Sequence, residues 1–374
     1  PETRAIRNTI FEDKNAGAVS PPIYLSTTFE RAADGSYPHH YIYARSGNPN
    51  RDLLENSAAQ LENGHTGIAF SSGMAAMSAL FQALRPGDHV LMPDDAYFTG
   101  RALARDWFGK WGLAATEVDQ TDLTAVAGAI RKNTRLIWVE SPSNPQLKIA
   151  DIRAIAQIAR QTGAICAVDN TWATPVFQRP LDLGADVVMH ATTKYFGGHS
   201  DVLGGILILP EHSEWAPILR DIQETFGNVP SPFECWLTTR GIKTLALRVR
   251  KQAENAFELA QFLARHPKIE AVHYPGLPDH PQHHIAKKQM DGGFGAMLSV
   301  QIKGSAQSAL RLTGKLELFT AATSLGAVES LIEHRKSVEG PDSPTPDNLL
   351  RLSVGIEHIE DLKQDWLQAL DSMD

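Results

Sequence analysis

The sequence predicts an α/β fold: a large domain on a mostly parallel sheet, a smaller α/β C-terminal domain, and an extended N-terminal arm. Three observations predict it. Apolar runs of strand length alternate with longer helical patterns, chemically loaded residues stand just after several of those runs, and a long amphipathic stretch leads to a second group of strands. With 374 residues the chain can bury one large domain and a smaller one.

Residues 1–50 are rich in Pro, Gly, Tyr and Ser and lack sustained periodicity, so they read as an arm lying over another surface. Residues 51–240 carry the alternation. TGIAFSS precedes MAAMSALFQAL, DHVLMP precedes ALARDWFGKWG, RLIWVES precedes IADIRAIAQIARQTG, and AICAVDN, DVVMHATT and GGILILP follow. Buried strands separated by helices argue a parallel sheet. Apolar residues at helical spacing through 240–266 predict one long helix leading out of this domain. Residues 241–374 then form the second domain, with strand-like GAMLSVQI and LLRLSVGI and a closing amphipathic helix, HIEDLKQDWLQALDSM.

The net charge is −8, from 35 Lys and Arg against 43 Asp and Glu, and no basic block is present to follow a phosphate backbone. Nucleic acid is not an expected partner. Cys166 and Cys235 stand far apart without CxxC spacing, which argues against a disulfide framework or zinc site and fits a reducing cytoplasm. The polar opening and the lack of any apolar run near about 18 residues predict a cytoplasmic protein with no membrane partner. His280, His283 and His284, in a Pro-rich loop, read as solvated or capping residues rather than metal ligands.

Ligands of an open α/β sheet sit beyond the carboxyl ends of its strands. After TGIAF comes a small-residue turn, Ser71-Ser72-Gly73-Met74, entering a helix whose free N–H groups could hold a phosphate; an ordinary glycine turn has the same composition. After AICAV comes Asp169, and after DVVMHATT comes Lys194. A buried carboxylate facing a pyridine nitrogen keeps that nitrogen protonated, and the ring becomes an electron sink. A desolvated lysine supplies the amine for an aldehyde. Together they point to pyridoxal 5'-phosphate held as a Schiff base by Lys194.

The ordered strings YIYARSGNPN, SSGMAA, ESPSNP, VDNTWATP, ATTKYFGGHSD, SLGAVESLIEH and LLRLSVGIE resemble the Cys/Met metabolism family of fold-type I pyridoxal-phosphate enzymes over nearly the whole chain. The resemblance implies an aspartate-aminotransferase-like fold with a seven-stranded large-domain sheet. It assigns Lys194 to the Schiff base, Asp169 to the pyridine nitrogen, and Gly73, Met74 and Thr193 to the phosphate. Tyr97 stacks on the ring and acts as acid or base; Asn144 lies near the phenolic oxygen and Thr171 beside Asp169. Ser324 and Arg351 hold the substrate α-carboxylate. Tyr43 and Arg45 reach the phosphate of a neighbouring subunit, implying a homodimer or homotetramer with shared sites.

Four departures bear on the reaction. Ala191 replaces a phosphate-binding serine of many relatives, with Thr192 as a candidate substitute. Phe98-Thr99-Gly100 makes a bulkier wall near the leaving group than the Gly-Gly-Thr or Gly-Cys-Thr of many relatives. Thr323 stands where synthases and γ-lyases handling cystathionine commonly carry a glutamate for the distal amine and β-lyases often a tyrosine, and Trp172 resembles β-lyases whereas SLGAVESLIEH resembles the γ-acting branch. The implied activity is elimination or replacement at Cγ of a cystathionine-, homocysteine- or homoserine-type amino acid. A β-lyase giving pyruvate is the alternative, followed by an aminotransferase.

Overall fold

The computed structural model describes residues 1–11, 16–341 and 343–373. Strands β1 (Thr66–Phe70), β2 (His89–Pro93), β3 (Ala114–Val118), β4 (Thr134–Glu140), β5 (Ile165–Asp169), β6 (Val187–His190) and β7 (Gly205–Leu209) form a seven-stranded sheet in the order β1-β7-β6-β5-β4-β2-β3. Five neighbouring strands, β3 to β6 through β2, are parallel; β7 runs antiparallel between β6 and β1. A parallel neighbour needs a crossover, and no helix bridges β6 to β7, so β7 returns antiparallel. The turn between them carries Lys194.

Both faces of this sheet are covered. Leu80, Phe81, Met92 and Trp138 pack in one cluster; Leu91, Ile137, Ile155 and Cys166 pack in another. Burial on both sides is why these strands read as unbroken apolar runs. β3 breaks that pattern. It lies at the sheet edge, none of its residues is fully buried, and the sequence shows no apolar run there.

The second sheet contains β8 (Ile269–His273), β9 (Met297–Ile302), β10 (Thr320–Ala321), β11 (Leu331–His334) and β12 (Leu349–Ser353), in the order β10-β11-β12-β9-β8. Leu298, Val300, Leu350, Leu352 and Trp366 fill its core. The single helix expected over 240–266 is two helices, Pro232–Ile242 and Leu245–Leu263. They part at Lys243 and Thr244, just past Gly241, which packs closely on the strap after Lys194: a Cβ on Gly241 would lie 2.3 Å from the Gly197 carbonyl oxygen. Arg248 Nη2 donates to the Gly241 carbonyl at 2.8 Å and closes the break.

In the arm, helix Glu2–Arg7 buries Ala5, and Trp236 Nε1 donates to the Pro21 carbonyl at 2.9 Å. Val19, Leu25 and Ile42 remain exposed. Among the described residues, no helix is long and apolar enough to cross a membrane.

Candidate active site

The carboxyl ends of β1, β2, β4, β5 and β6 converge on one cleft of about 300 Å³, closed on its far side by Thr323, Ser324, Arg335 and Arg351. Eleven of the thirteen residues assigned from the sequence line it: Gly73, Met74, Tyr97, Asn144, Asp169, Thr171, Thr193, Lys194, Thr323, Ser324 and Arg351. Tyr43 and Arg45 do not. They lie on the arm, with the Arg45 guanidinium 5.6 Å from the Tyr43 ring, which is 45% exposed.

At one end of the cleft, helix Gly73–Gln82 begins with Ser72 as its cap, the hydroxyl accepting from Ala75 N at 3.0 Å. The amides of Gly73 and Met74, in the first turn, point their hydrogens out of the helix. A Cβ on Gly73 would come within 2.9 Å of Ala191 Cβ, so the approach of the two turns requires glycine. Thr193 Oγ1 donates to the Gly204 carbonyl at 3.2 Å and accepts from Gly204 N at 3.0 Å. Thr192 is 2% exposed and does not line the cleft.

Asp169 ends β5, with Oδ1 accepting from Thr171 N at 2.9 Å, and Thr171 Oγ1 accepts from Ala191 N at 2.9 Å. Burial raises the Asp169 carboxyl above the usual carboxylate range, while Thr171 and then His190 oppose the rise. Its neighbour in register on β4 is Glu140, raised further by burial and by Asp169 itself. Glu140 Oε2 accepts from Tyr97 N at 2.9 Å, fixing the backbone under that ring. Two adjacent carboxyls, Glu140 buried and Asp169 half-buried at the cleft, form a site that favours one proton or an incoming cation.

Lys194 Nζ donates to Ser324 Oγ at 2.7 Å. Burial first, and then the Arg351 charge, push its ammonium down to about 8. Ser324 has φ +91°, a conformation that costs energy for a residue with a Cβ, and its carbonyl accepts from Arg351 Nη2 at 3.2 Å. Arg351 Nη1 also donates to Asn144 Oδ1 at 3.1 Å, and its guanidinium lies 6.0 Å from the Trp172 ring.

Three charged residues went unassigned in the sequence. Glu140 ends an apolar strand as Asp169 does, so the same signal marks it. Glu333 is a carboxylate inside the apolar run LIEH. Arg335 carries no sequence signal; only packing brings it to the cleft, with its guanidinium 5.9 Å from the Phe98 ring.

The arrangement fits pyridoxal phosphate. Asp169 is a half-buried carboxyl suited to a pyridinium, Lys194 a desolvated amine suited to the aldehyde, and the Gly73 turn a helix terminus suited to the phosphate. Fold and site together define a fold-type I pyridoxal-phosphate enzyme. The family described as Cys/Met metabolism PLP-dependent enzyme matches residues 2–371, and the chain belongs to it. Among curated relatives, cystathionine gamma-synthase of Mycobacterium tuberculosis is 50% identical over 99% of this chain and 96% of its own length. Cystathionine beta-lyase of Coxiella burnetii is 44% identical over 99% of this chain and 97% of its own. The crystal structure of metB from Corynebacterium glutamicum superposes with a TM-score of 0.97 at 43% identity, covering 100% of this chain and 98% of that one.

Proposed function

We propose that this enzyme eliminates or replaces a group at Cγ of an amino acid of the cystathionine or homoserine-derivative type. The Lys194 amine, held by Ser324 in a cleft that also presents Tyr97 and Arg351, supplies the proton transfers the reading needs, and the choice of Cγ over Cβ rests on the relatives. The likeness to a cystathionine gamma-synthase supports it.

When bound, the cofactor would supply an electron sink for the charge that develops on the substrate Cα. Asp169 would hold the ring nitrogen charged, and the Gly73 and Met74 amides with Thr193 would anchor the phosphate. Asn144, which lines the cleft, would hold the phenolic oxygen. Arg351 and Ser324 orient the substrate α-carboxylate, so that the Cα–H bond faces Lys194. The Lys194 amine takes the Cα proton, and γ chemistry then requires it, with Tyr97, to move a second proton at Cβ. A leaving group lies against Tyr97, Phe98 and Thr323. The neutral Thr323 offers a distal ammonium no ion pair.

The exposed Tyr43 and Arg45, beside the apolar Leu25 and Ile42, suit an arm (1–50) that completes the site of a second copy, making a homodimer the smallest working unit. The large domain is 51–240 and the C-terminal domain 241–374.

The deciding experiment supplies cystathionine, O-acylhomoserine, methionine, canavanine and cystine separately and identifies the 2-oxo acid. 2-Oxobutyrate from a substrate with a γ leaving group is expected. Pyruvate alone would replace this reading with the β-lyase, which Trp172 in the cleft wall and the Coxiella relative favour.

A further inference from the structure

Two guanidiniums share one carboxylate oxygen in the wall of the cleft. Arg351 Nη2 donates to Glu333 Oε2 at 2.8 Å, and Arg335 Nη1 donates to the same oxygen at 2.6 Å. All three side chains are buried. Arg335 Nη2 pairs with Glu339 Oε1 at 2.7 Å, and Glu339 Oε2 accepts from Thr345 Oγ1 at 2.6 Å and from Ser343 Oγ at 2.5 Å. The helix Arg335–Glu339 and the turn after it therefore hold Arg335 against Glu333.

A resident carboxylate is a handicap for an arginine that must receive another one. Were Glu333 paired with Arg351 alone, the buried pair would be neutral, and an incoming carboxylate would meet the Glu333 charge at short range in a low-dielectric cleft. Sharing Glu333 with a second guanidinium halves that claim. Glu339 does not restore it, because it lies beyond Arg335 and is committed to Arg335, Ser343 and Thr345.

We propose that Arg335 is a positioning residue: by sharing Glu333 it keeps Arg351 net positive toward the cleft and so sets the affinity for the substrate α-carboxylate. This rests on the assignment of Arg351 to that carboxylate. Arg335 itself lines the cleft beside Phe98, where it could instead touch the leaving group. Glycine separates the two roles, having an α-carboxylate and no leaving group.

The test titrates glycine into the holoenzyme, following the cofactor absorbance, and measures KM and kcat for a turned-over substrate. Arg335→Gln/Glu339→Gln removes both partners of one pair, leaving no lone buried charge. Its glycine Kd is expected to rise about tenfold, with KM rising in proportion and kcat holding. Adding Glu333→Gln is expected to return the glycine Kd to within about threefold of the parent, a rescue that a merely structural role would not give. Should the double variant lose the cofactor band, Arg335→Lys and Arg335→Met replace it, with weakened glycine binding expected only for Met. Unchanged glycine affinity, absence of rescue, or equal effects of Lys and Met would overturn the proposal; an effect confined to substrates with a leaving group would move Arg335 to that role. Arg351→Gln is the control. If it leaves glycine binding intact, the assignment of Arg351 fails; if it weakens binding while the Arg335 variants do not, only the present inference fails.

Discussion

Lys194 illustrates how one side chain's chemistry is set by its surroundings. A lysine amine attacks an aldehyde only when neutral, and burial together with the Arg351 charge brings its ammonium to about 8. The amine is protonated below that pH and neutral above it. The rate at which cofactor-free protein captures pyridoxal phosphate should therefore fall about tenfold per pH unit below 8 and level off above it. Stopped-flow absorbance across pH 6 to 10, about the range this titration spans, checks the slope. Lys194→Ala should abolish the band near about 420 nm expected of a lysine-bound cofactor; a surviving band would remove Lys194 from its assigned role. The Lys194 and Asp169 positions were legible because each follows an apolar strand. Arg335 was not, since its nearness to Arg351 depends on how strands β11 and β12 pair.

At the scale of elements, turns and caps deliver the site. Ser72 caps the helix Gly73–Gln82 through Ala75 N. Ser72→Ala should cost about 1 kcal/mol of stability and weaken cofactor retention, because the first turn is the proposed phosphate cradle. Chemical denaturation of the cofactor-free protein and dialysis of the holoenzyme measure the two effects separately. On the opposite flank, His89 joins three strands: Nδ1 lies 2.8 Å from Thr134 Oγ1 and Nε2 2.9 Å from Thr116 Oγ1. Burial lowers its folded value from 6.5 to about 4. The neutral ring's contribution is thus complete above pH 6.5 and lost as the pH falls toward 4. The parent should lose Tm across that window more steeply than His89→Gln, by calorimetry at matched ionic strength.

For the whole molecule, the arm is the element proposed to find its partner on a second copy. Tyr43 and Arg45 are absent from their own chain's cleft, and the proposed dimer would supply the surface they suit. If sites are shared, an Arg45→Ala variant and a Lys194→Ala variant, each inactive alone, should regain activity when refolded together. Random pairing yields about one quarter of the parent's sites intact, in mixed dimers only. No recovery in a mixture that size-exclusion and differential tagging show to contain mixed dimers would confine each site to one chain.

The sequence alone determined the parallel run of the large sheet, because buried strands leave unbroken apolar runs, and the cofactor chemistry, because Asp169, Lys194 and the Gly73 turn stand where topology exposes residues to ligand. Apolar periodicity is a local signal, so it placed these without knowledge of neighbours, whereas Tyr97, Asn144, Ser324 and Arg351 came from the resemblance to the Cys/Met metabolism family. Periodicity did not show β3, whose edge position leaves it half-solvated, nor the break at Lys243 and Thr244, two residues past the point where Gly241 packs on the Gly197 strap. Nor did it show the antiparallel return of β7, where the absent crossover helix decides direction. Only the tertiary structure brought Glu140 beside Asp169 and set Arg335 and Arg351 on one oxygen of Glu333. Charge pairs of this kind join strands or turns through space, and a buried charge is intelligible only once its partner is in place.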